Sequence, residues 1–248
     1  MKIDVFFGVQ GLTPPDITSR VVAVIDVLRA STSIAVALAN GAKTIIPLEN
    51  TEEVVTRAKA FARADVRLAG ERQMMPIPGF DLGNSPREFT ADAVEGKTVL
   101  MSTTNGTAAI SAVQSARDVV IASYVNFSAA LAMLRAALRG GTDITILCAV
   151  RDRQFSLEDA ACAGRYVQHV SKRLTSVQLN DAAIASVLID RRYSDNLLRL
   201  FGASAHGRAL TDAGFGEDLA VCAAVDSYPV IPIYQDRQIT KLGPERGR

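Results

Sequence analysis

Short apolar runs alternate with helical periods along almost the whole chain, and this alternation limits the fold more than any other feature of the sequence. Runs at 3–7, 21–25, 44–47, 66–69, 98–102, 119–123, 144–149 and 230–234 read as strands, several of them rich in Val and Ile. Helical patterns at 33–39, 52–62, 107–115, 127–138, 157–173, 181–191 and 195–200 fall between them. Strand–helix order at this spacing predicts an α/β fold, a three-layer α/β/α arrangement around a mainly parallel sheet with room for mixed strands. The stretch 174–217 is helical and strand-poor, so the C-terminal third is expected to form a helical cap or a small helical subdomain. A single domain over 1–242 and a frayed tail over 243–248 complete the expected organisation. Hydrophobic residues make up 48% of the chain and aromatic residues only 6%, with no Trp. That balance suits helices packed on a parallel sheet better than a β-sandwich.

Lys plus Arg number 27 and Asp plus Glu 26, so no global field recruits nucleic acid or an anionic membrane. The three cysteines, Cys148, Cys162 and Cys222, lie far apart without a Cys-x-x-Cys spacing. This excludes a disulfide framework and a structural zinc of the usual spacing, and fits a reducing compartment. No apolar run reaches the ~18 residues of a membrane span, and Asp4 falls where a signal peptide needs its apolar core. A cytoplasmic location is the expectation, with a symmetric homodimer as the default assembly.

Chemistry is expected at strand ends. Asp26 stands at the carboxyl end of the buried run 21–25, and Arg29, Ser31 and Thr32 follow before the next helix. Ligands of open α/β sheets collect at such ends, and helix N-termini favour anions. A carboxylate, a guanidinium and hydroxyls in one turn suit a metal-bound phosphate; the alternative is an Asp26–Arg29 ion pair that only orders the turn. Three more segments have the same placement. Glu71 and Arg72 follow the run 66–69. Thr104, Asn105, Gly106 and Thr107 open a helix after 98–102, offering backbone N–H groups and hydroxyls to phosphate oxygens or forming an ordinary Asn-Gly turn. Arg151, Arg153, Glu158 and Asp159 follow 144–149. Both carboxylates on the first turn of that last helix suit Mg²⁺, or the helix dipole alone. In a parallel sheet these four ends converge. His206, in Ser204-Ala205-His206-Gly207-Arg208, could protonate a leaving oxygen or stand idle in a loop, whereas His169 sits mid-helix and reads as structural.

Gly96-Lys97-Thr98 is not a P-loop ending, because position 91 is Ala and the triplet precedes its strand. Between Gly70 and Ser85 the periodicity stops in a loop rich in Gly and Pro, too long for a simple connection. Its exit, Ser85-Pro86-Arg87-Glu88, has capping-box spacing, as has Ser156 with Asp159.

Taken together, these stretches resemble the 2-phosphosulfolactate phosphatase (ComB) family. The resemblance rests on Ile25-Asp26-Val27-Leu28-Arg29-Ala30-Ser31-Thr32, Gly70-Glu71-Arg72, Gly79-Phe80-Asp81-Leu82-Gly83-Asn84-Ser85-Pro86 and Thr103-Thr104-Asn105-Gly106-Thr107. It continues through Phe155-Ser156-Leu157-Glu158-Asp159, Cys162-Ala163-Gly164 and Ser204-Ala205-His206-Gly207. The resemblance implies Mg²⁺-dependent hydrolysis of a phosphate monoester, 2-phospho-3-sulfolactate to 3-sulfolactate and phosphate on the route to coenzyme M. On this reading Asp26, Glu71, Glu158 and Asp159 are candidate metal ligands, and Arg29, Arg72, Arg151 and Arg153 neutralise a small anionic phosphorylated substrate. Ser31, Thr32 and the 104–107 turn hold its phosphate oxygens, with Asp26, Arg29, Glu158 and His206 as the catalytic set. One departure stands out: the family commonly carries Cys-Ala-Gly and another glycine before Phe-Ser-Leu-Glu-Asp, where this chain reads Val150-Arg151-Asp152-Arg153-Gln154. Loss of permissive glycines there is expected to reshape the pocket floor. It also motivates the alternative of a non-catalytic sensor for a small phosphorylated or sulfonated acid.

Overall fold

The computed structural model describes residues 1–150, 154–174 and 176–243. In chain order its strands are β1 (Lys2–Phe7), β2 (Val21–Ile25), β3 (Thr44–Pro47), β4 (Val66–Arg72), β5 (Met75–Pro76), β6 (Thr98–Ser102), β7 (Asp118–Ala122), β8 (Ile144–Cys148), β9 (Gln178–Leu179), β10 (Pro232–Gln235) and β11 (Gln238–Lys241). The helices are α1 (Ala30–Ala39), α2 (Thr51–Ala58), α3 (Ala91–Val94), α4 (Gly106–Ala112), α5 (Phe127–Arg139), α6 (Leu157–Ser171), α7 (Asp181–Tyr193), α8 (Leu197–Ala203), α9 (Ala205–Asp212) and α10 (Gly216–Ala223). The protein is an α/β fold in which helices cover a large mixed, mostly parallel sheet.

The strand order is β5-β4-β6-β3-β11-β10-β7-β2-β8-β1-β9. Strands β7, β2, β8, β1 and β9 form one parallel block, with Ile25 in register with Ala122 on one side and Cys148 on the other. Strands β4, β6 and β3 form a second. The hairpin β10–β11 joins them and is antiparallel to both its neighbours, so the two blocks run in opposite senses.

Alternation along β2 divides the core. Val21, Ala23 and Ile25 face the cluster filled by α5 and α6, whereas Val22 and Val24 face the one filled by α1. Helix α1 carries no charged residue and is buried from Ala30 to Leu38, its Ser31, Thr32 and Ser33 hydroxyls each hydrogen-bonded. It packs against β7 and β10 on one side and against β3 and β11 on the other. The sheet therefore curls around α1. Neighbouring strands rotate by about 20–25°, so the five steps from β6 to β2 turn the strand direction by about 100–125°. The carboxyl ends of β2, β4 and β6 meet despite the opposite senses of the two blocks, since Asp26, Glu71 and Thr104 line one cavity.

The runs at 21–25, 44–47 and 98–102 have the bounds expected from sequence. Helix α1 begins earlier than 33, because Ser31 and Thr32 spend their hydroxyls inside the turn and helix. The loop after Gly70 is partly strand: β4 extends to Arg72 and β5 pairs back on it. Neither expected capping box forms by side-chain hydrogen bonding at its N-cap. Ser85 Oγ donates instead to Asp218, and Asp159 accepts from the backbone of Val27. In the C-terminal third α8, α9 and α10 contribute Leu200, Leu210 and Cys222 to the same core as β1, β2 and β8. No described helix is long and apolar enough to cross a membrane.

Candidate active site

The β2–α1 turn is built by short local bonds. The Asp26 backbone N–H donates to Ser31 Oγ (2.9 Å), and the Ala30 N–H donates to Asp26 Oδ1 (3.3 Å). Thr32 Oγ1 donates to the Val27 carbonyl (2.9 Å) and lies 2.8 Å from Ser123 Oγ. These bonds hold Asp26 at the mouth of a cavity of about 270 Å³ that is also lined by Arg29, Glu71, Thr104, Asn105 and His206. Three of the four expected strand-end segments thus meet at one cavity, and α9 adds the histidine.

From β6 the chain passes Thr103 and Thr104 into α4. Gly106 packs directly on the Asp26 carboxylate, and a Cβ at this position would stand 2.8 Å from Asp26 Oδ2 and 2.7 Å from the Ala30 methyl. Glu71 fixes the same turn from β4. It accepts from the Thr104 N–H (2.7 Å), from Thr104 Oγ1 (3.1 Å) and from the Met74 N–H (2.8 Å). Both its oxygens are committed to this neutral scaffold.

Glu158 and Asp159 enter from the first turn of α6, and both are buried. Asp159 Oδ1 accepts the Val27 N–H at 2.9 Å. Glu158 differs, because the close partner of its buried carboxylate is a histidine. His206 Nδ1 stands 3.3 Å from Glu158 Oε1, at ion-pair distance. Burial raises the Asp26 carboxyl to about 6, against the opposing charge of His206 and with support from Glu71 and Glu158. Burial, then the negative charges of Glu158 and Asp26, lift Asp159 well above the carboxylate range. Burial also pushes Glu158 up, but the adjacent His206 outweighs it and leaves the group below its ordinary value.

Arg29 does not pair with Asp26. Its guanidinium donates from NH1 to Asp218 Oδ2 (2.8 Å) and from NH2 to the Met74 carbonyl (2.9 Å), and it lies over the Phe215 ring at 4.4 Å. The ion-pair alternative for the turn is therefore corrected: the aspartate stays available and the arginine is anchored elsewhere. Arg72 bonds the backbone of Glu71 and both the carbonyl and hydroxyl of Ser102, tying β4 to β6 outside the cavity lining. Ser31 and Thr32 lie behind the turn, with their hydroxyls used internally. Thr107 Oγ1 donates to the Thr103 carbonyl (2.9 Å), within the turn. Arg151 and Arg153 lie outside the described residues.

Sequence reasoning missed Asp218, Phe215 and Asn84. Asn84 lines the cavity, and its buried Oδ1 has no hydrogen-bond partner. Its membership in the Gly-Phe-Asp-Leu-Gly-Asn-Ser-Pro run was the available signal. Nothing local marks Asp218, which reaches Arg29 across 189 positions.

A profile described as 2-phosphosulpholactate phosphatase matches residues 9–237. The chain belongs to this family. 2-Phosphosulpholactate phosphatases are phosphoric monoester hydrolases. A relative from Symbiobacterium thermophilum, named probable 2-phosphosulfolactate phosphatase, is 39% identical over 92% of this chain and 98% of its own length. Proteins of the same name from Caldanaerobacter subterraneus subsp. tengcongensis and a Clostridium botulinum strain are 38% and 33% identical, over 94% and 98% of this chain and 95% and 100% of their own. Of the residues that carry the family resemblance, Asp26, Arg29, Glu71, Asn84, Thr104, Asn105 and His206 line the cavity, whereas Arg72, Thr107, Glu158 and Asp159 do not.

Among the described residues no group of three or more His, Cys, Asp or Glu is arranged to hold a metal ion. A cation bound mainly by the protein is therefore a poor fit. A cation held by one or two carboxylates, with water and substrate oxygens completing its shell, is a good one. Asp26, which lines the cavity, and Glu158, whose charge acts on Asp26 and whose Oε1 faces His206 Nδ1, are the carboxylates that would hold it.

Proposed function

We propose that this chain is a Mg²⁺-dependent phosphomonoesterase that converts 2-phospho-3-sulfolactate to 3-sulfolactate and phosphate, a step toward coenzyme M. The observation that carries this reading is the meeting of Asp26, Arg29, Glu71, Thr104 and His206 at one cavity, with the buried Glu158 charge acting on Asp26. Two carboxylates that raise each other's proton affinity in a buried site are the donors a cation would relieve of their repulsion. Mg²⁺ matches two carboxylates, because it keeps several waters and takes phosphate oxygens as ligands, whereas zinc wants three or four protein donors. Bound there, it would neutralise phosphate charge and polarise the attacking water.

The chain's own groups supply the rest. Arg29 binds an oxygen of the phosphoryl group, where a guanidinium fork matches the charge. The turn at Thr104, braced by Glu71, holds another oxygen. Water attacks phosphorus as the ester P–O bond breaks; the departing alkoxide takes a proton from His206, the product phosphate keeps one proton of the water, and the other returns through solvent to His206. With Nδ1 turned to Glu158, Nε2 is the nitrogen for that transfer. Direct attack by water is preferred to a phospho-Asp26 intermediate, since no second aspartate in the turn is spaced to act as its acid–base partner.

The test is phosphate release from a panel of phospho-sulfonates and phospho-carboxylates, with Mg²⁺ and with chelator. Mg²⁺-dependent release, highest with the sulfonate and lost in Asp26→Asn, is expected. Tight ligand binding with no release from any substrate would instead make the protein a sensor.

A further inference from the structure

Asp218 lies on the first turn of α10, in the C-terminal third, and its side chain and that of Arg29 are each only 2% exposed. Its two oxygens serve different walls of the cavity. Oδ2 accepts from Arg29 NH1 (2.8 Å), on the turn after β2, and Oδ1 accepts from Ser85 Oγ (2.6 Å), at the exit of the long loop. Phe215, at the N-cap of the same helix, covers one face of the guanidinium. The Met74 carbonyl takes a donor from NH2.

A buried ion pair contributes little net stability, because desolvation offsets the attraction, so stability alone does not explain this arrangement. Geometry does. A guanidinium is a planar fork of five N–H donors. Here one donor on each terminal nitrogen is occupied and one face is covered, yet Arg29 still lines the cavity beside Asp26. We propose that Asp218 is a positioning residue: with Phe215 and the Met74 carbonyl it clamps Arg29 so that the remaining N–H donors meet a phosphate oxyanion in the cavity. The reaction class enters only through the oxyanion's identity, since the proposal rests on the phosphatase reading for that alone.

The experiment measures inorganic phosphate binding to the full chain with Mg²⁺ by calorimetry, which needs no turnover. The variants are Asp218→Asn, Arg29→Met, the double variant and Phe215→Leu, each checked for folding by circular dichroism. Asp218→Asn is expected to weaken phosphate binding on the order of ten-fold, the scale of one charge-assisted hydrogen bond. In the Arg29→Met background the same substitution is expected to add nothing, because its effect passes through the guanidinium. Phe215→Leu, which keeps the ion pair, is expected to weaken binding in the same direction by less. Unchanged phosphate affinity in a folded Asp218→Asn, or an equal loss with and without Arg29, overturns the proposal. Should Asp218→Asn fail to fold, unchanged affinity in Phe215→Leu overturns it alone. Phosphate binding that follows the expected pattern without hydrolysis of any phosphomonoester would sink the reaction and leave the clamp standing.

Discussion

Gly106 is the residue on which the site's geometry turns. Any side chain there meets the Asp26 carboxylate and the Ala30 methyl at under 3 Å, and both are held by buried structure. Gly106→Ala is expected to displace Asp26, lowering kcat/KM by on the order of a hundred-fold while costing only about 1–3 kcal/mol of stability. Steady-state kinetics beside thermal melts check this; near-normal kcat/KM would show that Asp26 can shift without consequence. At this scale the sequence was informative about Asp26, Arg29 and His206, because charged or hydrogen-bonding side chains at strand ends and loops have few structural reasons to be there. It was uninformative about division of labour. Glu71 and Asp159 carry the same charge as Glu158, but backbone N–H groups claim their oxygens. Only the fold distinguishes a carboxylate that braces a turn from one that faces a histidine.

Helices α6 and α7 cross at Gly164, in the Cys-Ala-Gly stretch downstream of Glu158. A Cβ there would fall 1.9 Å from the Ser186 carbonyl oxygen of α7. Gly164→Ala should therefore push the helices apart and lower the melting temperature by several degrees, from a cost of about 1–3 kcal/mol or more. Since α6 delivers Glu158 from its far N-terminal turn, activity per folded molecule should fall less than stability; a variant that melts normally would contradict the contact. Elements were legible where apolar period and burial agree, as in β2, β3 and β6. The hairpin β10–β11 was half legible. Within β11 only Ile239 is buried, so no alternation announces it. Its turn places Asp236 and Arg237 at φ 51° and 62°, conformations that Asn-Gly would have signalled and this pair does not.

For the molecule as a whole, the carboxylate cluster predicts how stability follows pH. Asp26 is raised to about 6 and Asp159 is raised well above its ordinary 3.8. Groups raised on folding bind protons more tightly in the native state, so their contribution is full below the unfolded value and is lost as pH rises through the folded one. In chelator, the protein should be more stable to urea at pH 5 than at pH 7.5. Asp26→Asn should flatten that dependence, and Mg²⁺ should restore stability at the higher pH. Glu158, held below its usual value, contributes the opposite slope, in a more acidic range. A wild-type protein whose stability in chelator rises steadily from pH 5 to 7.5 would refute the cluster's role. Topology, too, has a consequence over time. The β10–β11 hairpin is the seam between the two parallel blocks, yet it leaves the ribosome after every other described strand. The nascent chain therefore carries two unjoined half-sheets with open inner edges until its final strands arrive. Until then those edges are open to pairing with other chains, and the hairpin's arrival is what closes them.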